Sequence, residues 1–378
     1  MHNVLLLGAG KIGSAIAQLL AESGDFHVRV ADQHDDALAR LPKHDAIEAT
    51  SLNVTDPAAL KTAMQGRDSA LSAVSFDANP IIAQAALESG VSYFDLTEDV
   101  ETTRKVRDVA QHAKDGQVFV PQCGLAPGFV SISANDLAKN FDEVHRLHLR
   151  VGALPVFPTN ELRYNLTWST DGLINEYGNP CEAVVGGKMI DVLPLEGLEN
   201  FSLDGVMYEA FNTSGGVGTL AETYSGKVKD LDYKTIRYRG HRDLIKFLMF
   251  DLRMNERREM LKDIFEHAIP MTPQDVVLIF CWAAGMKNGH LMQMTDARKV
   301  YAGNFRNLQL NGIQSTTAAG ICALLDLHRA GKLSTTKGFV KQEEVDLQTF
   351  LDNRFGCCYA KGKGNVEEIA DPYVPSAL

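Results

Sequence analysis

The sequence predicts an α/β fold in which a doubly wound parallel sheet is followed by a second, α+β domain built on a mostly antiparallel sheet. Two observations support this prediction. Apolar strands alternate with amphipathic helices over residues 1–122, and the alternation breaks at the turn signal Pro127-Gly128. The chain also has 378 residues, whereas single cores usually stop growing near ~250–300 residues. We therefore expect a first domain over residues 1–122, a second over 123–312, and a segment over about 313–378 that returns to the first.

The first strand and the turn after it organise the first domain. Residues 4–7 are all apolar, which is typical of a strand buried on both faces. Three glycines follow in G-x-G-x-x-G spacing and open a helix over residues 14–21. They permit a tight turn, the approach of a pyrophosphate and close packing of helix on strand, in that order. This predicts a Rossmann domain that binds a dinucleotide, with a turn kept glycine-rich for steric reasons as the alternative. The predicted cofactor contacts in the turn are Gly8, Gly10, Lys11, Ile12 and Gly13.

The residue after the second strand indicates which dinucleotide binds. Residues 28–31 form that strand, and Asp32 follows it roughly 20 residues after the turn, where a carboxylate takes the ribose hydroxyls. Asp35 and Asp36 lie close by, and residues 32–36 contain no Lys or Arg. A 2′-phosphate would meet like charges there. The sequence therefore predicts NAD rather than NADP.

Loops after the later strands are expected to face the same crevice, because the carboxyl ends of parallel strands meet at one edge of the sheet. These strands are predicted over residues 47–50, 69–74 and 91–94, and a helix over 100–114 and a strand over 118–121 complete the domain. Further predicted cofactor contacts are Asn53, Val54 and Ser75. For Asn53 and Val54 the alternative is a plain helix start, since Thr55 or Asp56 can cap the next helix.

The pattern of strands and helices changes near residue 144. Strands are predicted over 147–151, 162–168, 207–212, 233–238 and 276–283, with helices over 172–177, 219–225 and 241–250. A helix over 313–327 is rich in Ala and Gly, and we expect it to pack closely against the first domain. The exposed sheet of the second domain favours a homodimer or higher homo-oligomer. The last ten or so residues are expected to form a loose tail.

Composition excludes several classes of partner. The formal net charge of −11 argues against nucleic acid, whose affinity comes largely from Lys and Arg on phosphates. No run of ~18 apolar residues predicts a membrane span, and no signal segment precedes the first strand, so we expect a cytoplasmic protein. The six cysteines lack C-x-x-C spacing and no metal-binding constellation of residues appears, so neither a disulfide framework nor a metal site is predicted.

Six motifs in chain order carry a resemblance to a known family. They are Gly8-x-Gly10-x-x-Gly13, Gly124-Leu125-Ala126-Pro127-Gly128, Val151-Gly152-Ala153-Leu154-Pro155, Tyr164-Asn165-Leu166-Thr167-Trp168-Ser169, Thr213-Ser214-Gly215-Gly216 and the run Tyr233 to His241. Together they resemble the saccharopine dehydrogenase/reductase family over residues 1 to about 340, and within it the bacterial and archaeal L-lysine 6-dehydrogenases. The resemblance implies a Rossmann domain, an α/β substrate domain and nicotinamide-dependent oxidation of a carbon bearing nitrogen on an amino acid.

Two departures from the glutamate-forming saccharopine reductases indicate a smaller substrate. Those enzymes have Asp where this chain has Ala126, and an Arg in the loop that residues 213–216 occupy here. That Arg holds a carboxylate of a large substrate, and Ser and Gly cannot replace a bidentate guanidinium–carboxylate contact. The lysine dehydrogenases share both features with this chain.

The implied reaction needs a base for the substrate ammonium and an anchor for its carboxylate. Arg237 matches a substrate-contacting position of the reductases and is the preferred anchor, with Arg239 as the alternative; a structural salt bridge is the plain interpretation of either. Asp95, after the fifth strand, and His241, a residue type with an ordinary pKa of ~6.5, are the candidate bases. Either could instead cap a helix. The further predicted substrate contacts are Thr97, Glu98, Asn165, Trp168, Thr213, Ser214 and Thr235.

The sequence thus predicts an NAD-dependent amino-acid dehydrogenase, with L-lysine 6-dehydrogenase as the preferred activity. Glu98 is expected to bind a distal ammonium, or else to be an ordinary acid at a helix start. A saccharopine dehydrogenase is the first alternative, and a non-catalytic NAD sensor is the second. We expect Asp95 and the two arginines to converge on one cavity beside the nicotinamide.

Overall fold

The computed structural model describes residues 1–360; the predicted loose tail lies outside this range. The first part of the chain contains β1 (His2–Leu7), α1 (Lys11–Glu22), β2 (Phe26–Asp32), α2 (Asp35–Ala39), β3 (Ile47–Ser51), α3 (Pro57–Met64), β4 (Ser69–Ser72), α4 (Asn79–Ser89), β5 (Ser92–Asp95), α5 (Val100–Ala110) and β6 (Val118–Val120). Strand and helix alternate throughout, as the sequence predicts.

The second part begins with α6 (Phe129–Ala138), β7 (Glu143–Pro155), α7 (Thr170–Gly178), β8 (Cys181–Val185), β9 (Lys188–Val192), β10 (Glu199–Leu203), β11 (Val206–Asn212), α8 (Leu220–Tyr224), β12 (Asp230–Tyr238) and α9 (His241–Lys246). It continues with α10 (Arg258–Ala268), β13 (Asp275–Lys287), β14 (His290–Tyr301), β15 (Gly303–Phe305), β16 (Leu308–Leu310), α11 (Gly312–Arg329), β17 (Gly338–Phe339) and α12 (Leu347–Asp352). The helix predicted over 241–250 is α9 followed by a π-helical turn over Phe247–Asp251.

The first sheet has seven parallel strands in the order β17-β6-β5-β4-β1-β2-β3. Apolar residues of α1 and α11 pack on one face, and those of α3, α4 and α5 pack on the other. This arrangement confirms the predicted Rossmann fold. The order reverses between β1 and β4, and the loops after these strands border the crevice at that point.

The second sheet has eight strands, with the path β10-β11-β12-β7-β13-β14 and with β8 and β9 attached beside β12. The β12–β7 pairing is parallel, and the other pairings of this sheet are antiparallel. This confirms a mostly antiparallel second sheet, but the strand predicted over 162–168 is wrong, because that segment is irregular and forms one isolated bridge at Leu166. A homo-oligomer formed through this sheet stays a prediction, as do the exact domain boundaries and the cytoplasmic location.

The small-residue helix α11 joins the two halves of the molecule. It packs against α1, and nearly all of its residues are buried. A Cβ added at Gly320 would lie 2.5 Å from the carbonyl oxygen of Cys123, so a larger residue there would collide with the segment that leads out of β6. Further on, β17 extends the first sheet beside β6. The chain thus returns to the first domain, where α11 packs on the residues after β6 and β17 pairs with β6.

Candidate active site

The glycine turn has the geometry of a dinucleotide site. Gly8 has a φ of 105°, in the region that favours glycine. A Cβ on Gly13 would lie 1.9 Å from the Gly8 carbonyl oxygen, whereas a Cβ on Gly10 would meet no atom within 4 Å. The turn is therefore packed tightly at its third glycine and open at its second, directly before the N-terminus of α1. An open approach to free helix N–H groups fits a pyrophosphate.

Asp32 closes the same site from the end of β2. Its carboxylate accepts hydrogen bonds from the Ala9 N–H at 2.7 Å and from the His34 N–H at 2.9 Å. These bonds hold the carboxylate against the glycine turn, where a ribose would follow the pyrophosphate. Arg40 is the next cation along the chain, and it forms an ion pair with Asp36 at 2.9 Å. The local charge around Asp32 is therefore acidic.

The loop after β3 is built as a helix start. Asp56 caps α3 by accepting from the backbone N–H groups of Ala58 and Ala59. The amide oxygen of Asn53 accepts from both the N–H and the hydroxyl of Thr55. Asn53 is exposed and Val54 is half-buried. Their contact with a cofactor stays a prediction.

A cavity of about 410 Å³ lies between the edge of the first sheet and the face of the second. Its wall includes seven of the residues predicted to contact cofactor or substrate, which are Ile12, Ser75, Thr97, Glu98, Trp168, Thr235 and Arg237. The turn that follows β6 is also part of the wall, through Gly124, Leu125, Ala126 and Pro127. Lys11 does not line the cavity; it is exposed, and its ammonium lies 2.9 Å from the sulfur of Met271.

The cavity wall has more acidic than basic residues. Among the described residues, Arg237 is the one cation of the wall, and the acidic residues are Glu98, Asp171 and Glu176. Asp171 forms an ion pair with Lys262 at 2.7 Å. In the described chain neither Glu98 nor Glu176 forms a salt bridge, although the Glu98 backbone N–H acts on its own carboxyl and the Arg237 charge acts on Glu176. Burial raises the pKa of Glu98 to about 7 and that of Glu176 to about 8.

Helix α7 and a glycine loop hold these carboxyls in place. Ser169 caps α7 by accepting from the Gly172 N–H at 3.2 Å. A Cβ on Gly172 would lie 2.4 Å from the Trp168 ring and 3.1 Å from Oε1 of Glu98, so glycine lets both approach the helix. Glu176 follows Gly172 by four residues and lies on the same helix face.

The loop Thr213-Ser214-Gly215-Gly216 supports the cavity from behind. A Cβ on Gly215 would lie 2.4 Å from the Glu98 carbonyl oxygen, and one on Gly216 would lie 2.2 Å from the Tyr233 ring. The Ser214 N–H donates to the Glu176 carbonyl oxygen at 2.9 Å, and the hydroxyls of Thr213 and Thr235 are 2.7 Å apart. Neither Thr213 nor Ser214 lines the cavity. The structure therefore gives these two residues a supporting position, in place of the predicted substrate contact.

Asp95 is not on the cavity wall. Its carboxylate is fully buried, and it accepts from the Tyr93 hydroxyl and from the N–H groups of Thr97 and Gln122, at 2.9, 2.9 and 3.0 Å. Burial raises the pKa of Asp95 to about 6. These bonds fix the loop after β5 to the segment after β6. Asp95 thus positions Thr97 and Glu98, and the structure does not place it where it would meet a substrate.

His241 is also buried away from the cavity. Its Nδ1 lies 2.8 Å from the Leu162 carbonyl oxygen, and its Nε2 lies 3.0 Å from the Tyr177 hydroxyl. Burial and the nearby Arg237 guanidinium lower the pKa of His241 to about 3. A neutral, enclosed imidazole does not meet substrate, so the prediction of His241 as the base is not supported.

The remaining predicted substrate contacts separate into two groups. Arg237 is 3% exposed and lines the cavity, whereas Arg239 lies beyond the end of β12 and is exposed to solvent. Asn165 is buried behind the wall, and its Oδ1 has no hydrogen-bond partner in the described chain. Of Asp95, Arg237 and Arg239, which we expected to converge, the structure brings Arg237 alone to the cavity.

Sequence reasoning missed Glu176 and Tyr177. Both fall in the helix predicted over 172–177, but nothing in the local pattern distinguishes Glu176 from an exposed helical glutamate. The four-residue spacing from Gly172 is the signal that would have placed Glu176 beside Trp168 and Glu98. Within residues 1–360, no helix is long and apolar enough to cross a membrane, and no group of His, Cys, Asp and Glu has the arrangement of a metal site.

Comparison with family models and known proteins gives consistent matches. A model described as the saccharopine dehydrogenase NADP binding domain matches residues 4–120, and one described as the saccharopine dehydrogenase C-terminal domain matches residues 124–349. A structure of L-glutamate-forming saccharopine dehydrogenase from Saccharomyces cerevisiae superposes with a TM-score of 0.75 at 16% identity, covering 93% of this chain and 96% of that one. The two chains share a fold.

Curated relatives match over about half of this chain. Saccharopine dehydrogenase [NADP(+), L-glutamate-forming] of Saccharomyces cerevisiae is 27% identical over 197 residues, which are 50% of this chain and 43% of the relative. The mitochondrial alpha-aminoadipic semialdehyde synthase of Mus musculus is 23% identical over 196 residues, or 50% of this chain and 21% of the relative. The matched region thus spans less than half the length of each relative.

The two later glycines of the turn provide a first test. We expect Gly13→Ala to destabilise the fold, because its Cβ would overlap the Gly8 carbonyl; overpacking of this kind typically costs about 1–3 kcal/mol. Gly10→Ala has open space and should leave the free energy of unfolding nearly unchanged, but it should weaken dinucleotide binding at least tenfold. Urea denaturation and a nucleotide titration measure the two effects. Equal destabilisation by both variants would contradict the assignment of the open glycine to the pyrophosphate.

The raised pKa of Glu176 predicts a pH-dependent effect on stability. Between pH 5 and 8 the carboxyl is protonated in the folded state and ionised in the unfolded state, so unfolding releases a proton and the native contribution of this group falls as pH rises. Glu176→Gln should therefore become more stabilising, relative to the parent protein, from pH 5 to pH 8. Thermal denaturation across this range measures the difference. Glu259→Gln, which removes an exposed carboxyl on α10, is the control; a Glu176→Gln difference that stays flat would refute the burial argument.

Proposed function

The chain belongs to the saccharopine dehydrogenase family, and from that premise we propose that it is an NAD-dependent amino-acid dehydrogenase that oxidises the carbon bearing the terminal amine of L-lysine. Membership supplies the coarse statement, an oxidoreductase family acting on CH–NH donors with a pyridine-nucleotide domain. The choice of substrate and of NAD is our proposal, and it rests on the charges of the cavity and of the Asp32 site.

The charge balance of the cavity wall carries the proposal. One guanidinium, Arg237, faces two carboxyls without ion-pair partners, Glu98 and Glu176. Lysine has one carboxylate and two ammonium groups, and an ammonium bound beside a buried carboxyl favours the ionised form of that carboxyl, so lysine complements this wall. Saccharopine has three carboxylates, and two of them would have no cation to meet at this wall. Because an unpaired buried charge is costly, the cavity favours the smaller, cationic amino acid.

Arg237, Glu98 and Glu176 then each have a chemical role. Arg237 holds the substrate carboxylate. Glu98 and Glu176 are the carboxyls that receive substrate ammonium groups, and one of them, in its ionised form, takes the proton that nitrogen loses as the carbon is oxidised. The sequence placed the base at Asp95 or His241; the proposal moves it to these two carboxyls because they line the cavity. A bound nicotinamide nucleotide supplies the hydride acceptor.

Two features favour NAD over NADP. Asp32 presents its carboxylate at the glycine turn, where the ribose hydroxyls of NAD would bind and a 2′-phosphate would be repelled. The cations on either side of Asp32 along the chain are engaged elsewhere, Arg29 with Glu48 and Arg40 with Asp36. The family model and the yeast relative carry NADP in their names, so the cofactor of this chain is a proposal from its own residues.

The substrate proposal predicts that the purified protein reduces NAD with L-lysine as the sole amine. NADH formation is followed by absorbance, and saccharopine is tested at the same concentration. We expect a kcat/KM for lysine at least about a hundredfold above that for saccharopine, because two carboxylates of saccharopine lack cationic partners. Turnover of saccharopine without turnover of lysine would overturn the proposal. Tight NADH binding without turnover of any amine would support the non-catalytic sensor instead.

The cofactor proposal predicts that kcat/KM is higher with NAD than with NADP. Asp32→Ser should reduce this preference by roughly 10- to 100-fold, since it removes both the ribose contact and the charge that repels a 2′-phosphate. Asp45→Ser, which removes an exposed carboxylate on the turn before β3 and so at the opposite edge of the sheet, is the matched control and should change the preference little. A parent protein that uses NADP at least as well as NAD would refute the assignment.

A further inference from the structure

Arg237 differs from the other buried cations of its sheet. Arg150 forms ion pairs with Glu199 at 2.8 Å and with Asp232 at 2.7 Å, and Lys234 forms one with Glu199 at 2.5 Å. Arg237 is on the same strand as Lys234 but faces the cavity, and no carboxylate of residues 1–360 forms an ion pair with it. A buried charge without a salt-bridge partner is costly unless other groups compensate for it, and Glu176 is the carboxyl whose charge acts on this guanidinium.

Two hydrogen bonds fix the Arg237 guanidinium. Its Nε–H donates to the Tyr177 hydroxyl oxygen at 2.9 Å, and its Nη1 donates to the Ile236 carbonyl oxygen at 2.9 Å. The guanidinium carbon lies 4.9 Å from the centre of the Tyr164 ring, within range of a cation–π contact. A guanidinium has five N–H groups, so three remain for a ligand in the cavity.

The direction of the Tyr177 hydrogen bonds is set by His241. The Leu162 carbonyl can only accept, so the imidazole carries its proton on Nδ1 and donates it to that carbonyl at 2.8 Å. The unprotonated Nε2 then accepts from the Tyr177 hydroxyl at 3.0 Å. With its proton committed to His241, the Tyr177 oxygen presents lone pairs to Arg237. A reversed arrangement would set two donors against each other.

We propose that Leu162, His241 and Tyr177 form a positioning chain that aims the Arg237 guanidinium at the carboxylate of an amino-acid substrate. The inference rests on the proposed function, since it concerns the carboxylate anchor of the same cavity. Tyr177 and His241 do not line the cavity, so they act through Arg237. Their enclosure keeps the imidazole neutral over the working pH range, consistent with a fixed direction of donation.

The positioning chain predicts a loss confined to ligands with a carboxylate. Tyr177→Phe should raise the KM for L-lysine by roughly 10- to 100-fold and change kcat less than about threefold, because it removes one charged, buried hydrogen bond. The KM for cadaverine, which is lysine without the carboxylate, should stay within about threefold of the parent value. Tyr224→Phe is the matched control, because its hydroxyl binds Asn135 and not Arg237.

Substitutions at His241 test the direction of the bonds. His241→Gln keeps an acceptor for the Tyr177 hydroxyl and should retain most of the lysine affinity, whereas His241→Leu should lose it as Tyr177→Phe does. The two His241 variants also test the positioning role if Tyr177→Phe does not fold. Equal increases in KM for lysine and cadaverine, or a fall in kcat at unchanged KM, would overturn the positioning role.

A binding measurement separates this inference from the proposed function. Calorimetric titration of the NAD-loaded protein with L-norleucine, which has the lysine carboxylate but no terminal amine, requires no turnover. Selective loss of norleucine binding in Tyr177→Phe supports the positioning chain even if lysine is not oxidised, a result that would refute the proposed function alone. Norleucine that binds parent and Tyr177→Phe equally, or binds neither, would refute the positioning chain.

Discussion

The constraint on which the cavity depends is the burial of one guanidinium without a carboxylate partner. A charge in a low-dielectric setting is destabilising unless other groups compensate for it. The fold compensates Arg237 with neutral groups: a tyrosine oxygen, a backbone carbonyl and an aromatic face. These contacts hold the guanidinium but do not neutralise it, so this part of the wall can attract the carboxylate of a ligand.

The same strand also carries buried charges that do have ion-pair partners. On the opposite face of β12, Asp232 and Lys234 belong to a cluster in which Arg150 and Glu199 also take part, and every charge there has a counter-ion. Hydrogen bonds and cations in this cluster hold the pKa of Asp232 well below its usual range. One face of the strand therefore uses charge for cohesion, and the other leaves charge available to a ligand.

The sequence was sufficient for features that depend on local spacing. The glycine turn, Asp32, the α3 cap and the small-residue helix α11 each follow from residue types at short, fixed intervals, and the structure has them at the predicted places. Strands β8, β9, β10 and β14 were missed because their mixed polarity gives no clear period, although each pairs in a hairpin with its neighbour in the chain. Arg237 was predicted as a site residue from a single motif, and its side chain lines the cavity. Glu176 was missed because tertiary packing decides that its side chain faces the cavity. Asp95 was predicted as a base, but its side chain turns inward and holds the loop after β5.

The proposed lysine substrate differs from the saccharopine named for the relatives, and the proposal explains this difference at the level of charge. Fold and charge are separable: a likeness at 16% identity preserves the two sheets and the crevice between them, and leaves the wall free to change. In this chain Ala126 lines the wall, and Gly215 and Gly216 pack closely on Glu98 and Tyr233, at two places where the resemblance implies Asp and Arg in the glutamate-forming reductases. Both implied differences would remove charge from the cavity. What remains is a single fixed cation opposite two carboxyls, and an amino acid with one carboxylate and a terminal amine is the simplest molecule whose charges match that wall.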